Sequence, residues 1–241
     1  MFNRSGMTLV GLALTTLFAS GCDLEAQSRS VDGSFDRTVK VSGPVDLDIQ
    51  SRSGRINIRV GEGDAVRVVG RIRAYGSFSA FSGVYTPEEQ ASSLASSPPI
   101  EQSGNAITIG DIRQPGLGSN VSISYDVTVP ANTRLRSASR SGDQTIDLIR
   151  GPVVASSRSG SIHIREVAGN VDVATRSGEV ELRLPADGGA VLDVETRSGA
   201  IDSNVATQIA RGHAHRHVHG TVGGGGRRVE IHTRSGSVRI R

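Results

Sequence analysis

Arginine is the chemically active side chain that recurs at a regular spacing in this chain. It stands in the tripeptide Arg-Ser-Gly, preceded each time by Ser or Thr, at Arg52, Arg140, Arg158, Arg176, Arg197 and Arg234. A guanidinium offers a fork of donors that matches carboxylate and phosphate groups. If the repeats stack in register, these side chains form one column that could bind an acidic polysaccharide, a phosphate polymer or lipid headgroups. The alternative is charge compensation by acids four positions earlier, such as Asp172 and Asp193.

Histidine supplies the second chemical pattern, near the C-terminus. The four residues are His213, His215, His217 and His219, and they alternate with other residue types. In a strand, all four rings project from one face about 6.7 Å apart, and two imidazoles can converge on a zinc, copper or nickel ion. The sequence shows no cysteine or obvious carboxylate to complete the site, so a solvated face is the alternative. We expect no cofactor, with a transition metal at this strip as the alternative.

Catalytic chemistry has little support in the sequence. There is no Gly-x-Ser-x-Gly elbow, no thiol nucleophile and no His-Glu-x-x-His motif, so no residue is predicted to be catalytic. The carboxylates that neighbouring coils could bring together, as in enzymes that cut polysaccharides, are Asp172, Glu181, Asp193 and Asp202. We expect a protein that is not an enzyme, and polysaccharide processing is an alternative function.

The arginines must be positioned by repeated strands. The tripeptide recurs about every 18 residues, and apolar residues alternate with polar ones on both sides of it, as in Val171 and Val173 before the corner and Val180 and Leu182 after it. Glycine permits the positive φ of a sharp bend. Each repeat has two corners, and the tripeptide stands at only one of them. This favours stacked coils, because stacking places the same corner above itself at about 4.8 Å per coil. The prediction is an all-β, single-domain β-solenoid, with an antiparallel β-sandwich as the alternative.

The chain begins with a segment that has the features of an export signal. Residues 1–21 combine a basic start, an apolar run and small residues immediately before Cys22, and the run is too short to span a bilayer. Residues 19–22 resemble the lipobox of bacterial lipoproteins, which implies that Cys22 is lipidated. Residues 22–33 are interpreted as lipidated cysteine and tether, and residues 34–241 as the repeat domain. We expect an exported protein held to a bacterial membrane by its lipid, on the periplasmic or extracellular face.

Composition agrees with a narrow aliphatic interior. Aromatic residues make up 3% of the chain, tryptophan is absent, and 36% of residues are hydrophobic. The sequence pI of 9.6 accompanies a formal charge of only +3, because nearly all the basic residues are arginine. This pI does not predict nucleic-acid binding.

An insert at about 74–100 interrupts the repeats. Its aromatic residues are Tyr75, Phe78, Phe81 and Tyr85. The sequence Thr-Pro-Glu-Glu at 86–89 contains a capping box and a first-turn proline, so it predicts a helix from 87 to about 95. We expect this helix to cap the open end of the solenoid. The alternative is that the aromatics form an exposed surface for a sugar or a membrane contact.

Two further segments carry a family resemblance. Residues 125–132 read Tyr-Asp-Val-Thr-Val-Pro-Ala-Asn and lead into the corner at 139–142, and residues 220–226, which read Gly-Thr-Val-Gly-Gly-Gly-Gly, precede the last repeat. Residues 34–241 resemble the bacterial putative-adhesin family of β-strand-repeat domains, a family of unknown function. The resemblance implies a β-helix-like module of the cell envelope and offers no catalytic or ligand residues.

Together these features predict a lipid-anchored envelope β-solenoid that acts as a non-catalytic, adhesin-like binding or structural module. The expected partners are the membrane, through the anchor, and an anionic envelope polymer or an envelope protein. A metal-binding envelope protein that uses the strip at 213–219 is the first alternative function.

Overall fold

The computed structural model describes residues 30–76, 85–186, 188–205, 207–211 and 216–241. In these ranges the chain forms nineteen strands and one helix. The elements are β1 (Ser30–Lys40), β2 (Val45–Ser53), β3 (Ile56–Val60), β4 (Ala65–Tyr75), α1 (Pro87–Ser96), β5 (Ile100–Ser103), β6 (Ala106–Ile109), β7 (Val121–Val129), β8 (Thr133–Ser141), β9 (Gln144–Asp147), β10 (Val153–Ser159), β11 (Ile162–Arg165), β12 (Val171–Ser177), β13 (Val180–Arg183), β14 (Ala190–Ser198), β15 (Ile201–Ser203), β16 (Thr207–Arg211), β17 (His217–Val222), β18 (Arg227–Ser235) and β19 (Val238–Ile240).

Each repeat is one coil that contributes a strand to each of two sheets. The strand before the corner joins a ten-stranded sheet, in the order β16-β17-β14-β18-β12-β10-β8-β2-β6-β5. The strand after the corner joins a nine-stranded sheet, in the order β1-β4-β7-β3-β9-β11-β13-β19-β15. Neighbouring coils pair in parallel, with Val153 beside Val171 and Ile162 beside Val180. Stacked parallel coils confirm the predicted β-solenoid and not the antiparallel sandwich.

The coils do not stack in the order of the sequence. Strand β18 lies between β12 and β14, because Ile231 pairs with Val173 on one side and Val194 on the other. The intervening β17 pairs antiparallel with the other edge of β14. The last repeat of the chain is therefore the penultimate coil of the stack, and antiparallel strands close that end.

The corner glycines are required by two features of the backbone. Gly142 and Gly160 have φ angles of 143° and 144°, which residues with side chains rarely adopt. A Cβ atom on Gly160 would also stand 2.3 Å from the carbonyl oxygen of Gly142. The same contact is repeated along the stack, since a Cβ on Gly178 would stand 2.2 Å from the carbonyl oxygen of Gly160. The close approach of stacked corners explains why the repeat keeps glycine.

Two central rows of the interior are aliphatic, apart from one coil. Residues three positions before each arginine are buried, as are those two positions after each glycine except the half-buried Ile201, and most are Val or Ile. The exception has Ser137 in the first row and Gln144 in the second. The Ser137 hydroxyl donates to the Gln144 side-chain oxygen at 2.6 Å, so the two polar residues satisfy each other.

The other end of the solenoid is capped by the predicted helix. In α1, the Thr86 side chain accepts from the Glu89 amide, and the Glu89 carboxylate accepts from the Thr86 amide. The helix buries Ala91 and Leu94 and packs against β1 and β4. Strand β1 begins at Ser30, so the last four residues of the segment interpreted as a tether are paired main chain.

Within the described ranges, no helix has the length and apolar character that crossing a membrane requires.

Candidate functional site

The six corner arginines form a continuous row along one edge of the ten-stranded sheet. The pairing of Ser51 with Ser139 and of Ser53 with Ser141 places Arg52 beside Arg140, and the same register holds at each later coil. The order along the stack is Arg52, Arg140, Arg158, Arg176, Arg234 and Arg197. At the spacing of paired strands, this arginine column is about 24 Å long. The insert does not interrupt it, because the inserted strands lie beyond the end of the column.

All six side chains are exposed, and none forms an ion pair within the part of the chain that the structure describes. Arginines elsewhere do pair, as Arg165 does with Asp147 at 2.7 Å. Of the expected compensating acids, Asp193 lies 2.9 Å from His217, and Asp172 forms no ion pair with any described residue. These acids therefore do not neutralise the column by direct contact.

Like charges at this spacing repel one another. Two unit charges about 5 Å apart in water repel by a little less than ~1 kcal/mol. The same repulsion acts between each pair of neighbouring arginines along the column. Binding an anion would relieve that repulsion. The arrangement thus carries an unfavourable energy in the free protein that a polyanionic ligand would remove.

The surface beside the arginine column is low and polar. The residues that follow the arginines include the exposed Ser141, Ser159 and Ser177, whose hydroxyls can donate or accept hydrogen bonds. The outward residues two positions before the arginines are the small Ala138, Ser156 and Ala174 in the three middle coils of the column, and Gln50, His232 and Glu195 towards its ends. An extended ligand could therefore approach the guanidinium groups of the middle coils without obstruction by large side chains.

One end of the column opens into a cleft, which we call the corner cleft. The coil made by β6 and β7 replaces the sharp corner with a loop at 110–120, and the space beside this loop has a volume of about 420 Å³. Polar and charged residues that line it include Arg52, Arg140, Arg158, Asp111, Ser139 and Tyr125. The side-chain amide of Gln90 on α1 holds the loop by donating to the carbonyl oxygens of Gly116 and Ser119, at 3.1 and 2.8 Å.

Tyr125 is a functional candidate that the sequence did not single out. Its side chain is 1% exposed, and its ring centroid lies 6.4 Å from that of Phe35. The hydroxyl reaches the corner cleft near Gly110. Burial raises the pKa of the Tyr125 phenol, so the group stays protonated and able to donate. The available signal was an aromatic residue at an inward position that aliphatic residues otherwise occupy.

The histidine strip is only partly described, because His213 and His215 lie outside the described residues. His217 and His219 are exposed on one face of β17. One carboxylate lies beside the strip: Asp193 on the neighbouring β14 is 2.9 Å from His217, and the pKa of Asp193 is lowered, chiefly by that hydrogen bond. No group of three His, Cys, Asp or Glu side chains suited to a metal occurs among the residues that the structure describes.

The predicted aromatic surface is also divided. Tyr75 at the end of β4 is 42% exposed, whereas Tyr85 packs against the core and its hydroxyl accepts from Gln114. Phe78 and Phe81 lie outside the described residues, as do residues 1–21 and Cys22.

The four carboxylates considered for catalysis are not gathered at one place. Asp172 and Asp193 lie on the ten-stranded sheet, while Glu181 and Asp202 lie on the nine-stranded sheet. Glu181 contacts His163 at 3.2 Å, and Asp202 contacts Arg241 at 3.1 Å. The structure therefore divides the four carboxylates between the two sheets.

Comparison with known structures gives the same fold. The structure is similar to a crystal structure described as a putative cell adhesion protein from Clostridium sporogenes, with a TM-score of 0.60, 14% identity, and coverage of 87% of this chain and 99% of the other. A structure described as a putative adhesin from Bacteroides fragilis matches with a TM-score of 0.31 and 10% identity, covering 86% of this chain and 97% of the other. The first likeness supports the fold.

No curated protein matches the sequence. The model of the family described as Toastrack DUF4097 matches residues 117–241, which include five of the six Arg-Ser-Gly corners. Because this match spans more than half of the 241 residues, the chain belongs to the Toastrack DUF4097 family.

Proposed function

We propose that this protein is an exported, non-catalytic binding module whose arginine column holds an anionic polymer of the bacterial envelope. The observation that carries the proposal is the row of six exposed arginines without ion pairs among the described residues. Guanidinium groups bind carboxylates and phosphates through paired donors, and a linear arrangement suits a ligand that repeats its negative charge.

Several weak contacts along one chain would give useful affinity. Each arginine exposed to water contributes little alone, but linked contacts act at a high effective concentration. An acidic polysaccharide fits this surface because its hydroxyls can also bond to the serines beside the arginines. Binding of this kind weakens as salt rises, since counterions compete for the same groups.

Anchoring completes the proposal. Lipidation at Cys22 would hold the solenoid close to a membrane, with residues 22–29 as the connection to β1. The similar fold of a protein described as a cell adhesion protein agrees with a place in the envelope.

The decisive experiment measures retention of the full chain on immobilised polygalacturonate at 0.05 and 0.5 M salt. The test variant replaces Arg158, Arg176 and Arg234 by Gln. The matched control replaces the exposed Arg59, Arg150 and Arg183 by Gln, which changes the net charge equally but leaves the column intact.

We expect salt-sensitive binding that falls at least about tenfold in the column variant and little in the control. Equal losses in both variants would show a general charge effect and overturn the proposal. Retention of full binding by the column variant would overturn it as well.

A further inference from the structure

The corner cleft is placed to receive the end of a ligand that lies along the arginine column. It sits where the stack of sharp corners stops, and Arg52, Arg140 and Arg158 line both the cleft and the column. The loop at 110–120 also lines the cleft, through Gly110, Asp111, Ile112 and Gly118. A chain that follows the column in this direction therefore reaches the cleft.

The cleft also offers a phenol that can donate or accept a hydrogen bond. The Tyr125 side chain is 1% exposed, and its hydroxyl faces the cleft near Gly110. A ligand hydroxyl in the cleft would therefore find a hydrogen-bond partner there. The ring itself is fixed by the packing against Phe35.

The remaining polar groups specify the kind of ligand. Arginines would bind a carboxylate, whereas Asp111, whose Oδ2 accepts from Arg113 at 2.9 Å, has a second carboxylate oxygen that would accept from ligand hydroxyl groups. Ile112 and Ile123 add an apolar side, against which a sugar ring can pack. The volume of about 420 Å³ lies within the range of small-molecule sites. A ligand that uses all of these groups must carry both a carboxylate and hydroxyl groups, and a sugar acid has both.

We propose that the corner cleft binds the terminal sugar acid of an acidic polysaccharide, with Arg52 and Arg140 on its carboxylate and with Tyr125 and Asp111 on its hydroxyls. This inference rests on the proposed function, since the following sugars of the same chain would lie along the arginine column. It assigns a polarity to the bound polymer, whose end lies nearest Arg52.

The test is an NMR titration of the full chain with galacturonic acid and, separately, with a galacturonic acid hexamer. Galactose is the probe that has the sugar hydroxyls but no carboxylate. Inorganic phosphate is the probe that has the negative charge but no sugar hydroxyls. The variants are Tyr125→Phe, which keeps the ring, and Arg140→Gln, which changes an exposed side chain. Arg197→Gln, at the far end of the column, is the matched control.

We expect galacturonic acid to bind more tightly than galactose or phosphate. Tyr125→Phe should weaken its binding roughly 3- to 10-fold and Arg140→Gln roughly 10-fold or more, while Arg197→Gln leaves it unchanged. Arg197→Gln should weaken the hexamer only.

Absence of galacturonic acid binding, or equal effects of Arg140→Gln and Arg197→Gln on it, would overturn the inference about the cleft. Retention of the polymer on the column would still support the proposed function in that case. A third outcome is that Tyr125→Phe weakens binding of the monomer but the hexamer binds no more tightly than the monomer. That outcome would support the sugar-acid site in the cleft and overturn the proposal that the arginine column binds the polymer.

Discussion

The hydroxyl of Ser137 donates to the side-chain oxygen of Gln144 at 2.6 Å in the interior of one coil. The Gln144 side-chain nitrogen in turn donates to the carbonyl oxygen of Ser156 in the next coil, also at 2.6 Å. These residues face each other from the two sheets, in rows that other coils fill mainly with aliphatic residues. A coil that departs from the pattern at both positions thus remains compatible with a buried interior.

Loss of one member of this pair should destabilise the protein. Ser137→Ala leaves the buried amide oxygen of Gln144 without its donor, and we expect a loss of about 1–3 kcal/mol in the free energy of unfolding. Ser137→Val combined with Gln144→Ile restores the apolar rows and should cost less than the single change. Urea unfolding measures both, and a double variant that is weaker than Ser137→Ala would contradict this account.

The corner glycines give a second prediction. Gly160→Ala should cost more than about 3 kcal/mol, because the φ angle of 144° is unfavourable and the Cβ would stand 2.3 Å from a carbonyl oxygen. Gly63→Ala has a φ of 87° but no atom within 4 Å, so it should cost about 1 kcal/mol. Thermal unfolding of the two variants would separate the cost of backbone strain from the cost of the Cβ overlap. Equal losses of stability in both variants would show that the close stacking of corners does not select glycine.

The arginine column should not contribute to stability. Arg176→Gln removes repulsion from its two neighbours, so we expect the free energy of unfolding to stay unchanged or to rise by less than about 1 kcal/mol at low salt. The gain should disappear at high salt, where the repulsion is already screened. A clear loss of stability would instead assign a structural role to the column and weaken the proposed function.

Strand β1 should be sensitive to acid. Hydrogen bonds from Arg73 and Arg67 lower the pKa values of Asp32 and Asp36 below the ordinary 3.8. Since the folded-state pKa values are lower than the unfolded ones, the stabilisation is fully present above about pH 4 and is lost as pH falls through the lowered values. We expect Asp32→Asn with Asp36→Asn to reduce stability at pH 6 and the difference from the natural protein to shrink towards pH 2. The measurement is the free energy of unfolding of both proteins between pH 2 and pH 6. A difference in stability that does not change with pH would contradict a role for the two Asp–Arg pairs.

The sequence by itself determined the local features of this protein. The alternation of Val171 and Val173 shows which side of a strand is buried, and the glycine after Ser141 marks a bend, since both follow from the geometry of a few consecutive residues. The helix at Pro87–Ser96 was predicted within one residue because its capping box is local. The family resemblance was confirmed for residues 117–241.

Only the tertiary structure decided which coils are neighbours. Two coils with the same repeat pair equally well by their local pattern, so nothing in the repeat places Arg234 between Arg176 and Arg197. The carboxylate beside His217 likewise comes from another strand, and the corner cleft joins an inserted loop to the column. The physical reason is that hydrogen bonds between strands depend on a register between distant segments, and that register is set by how the whole chain closes its ends.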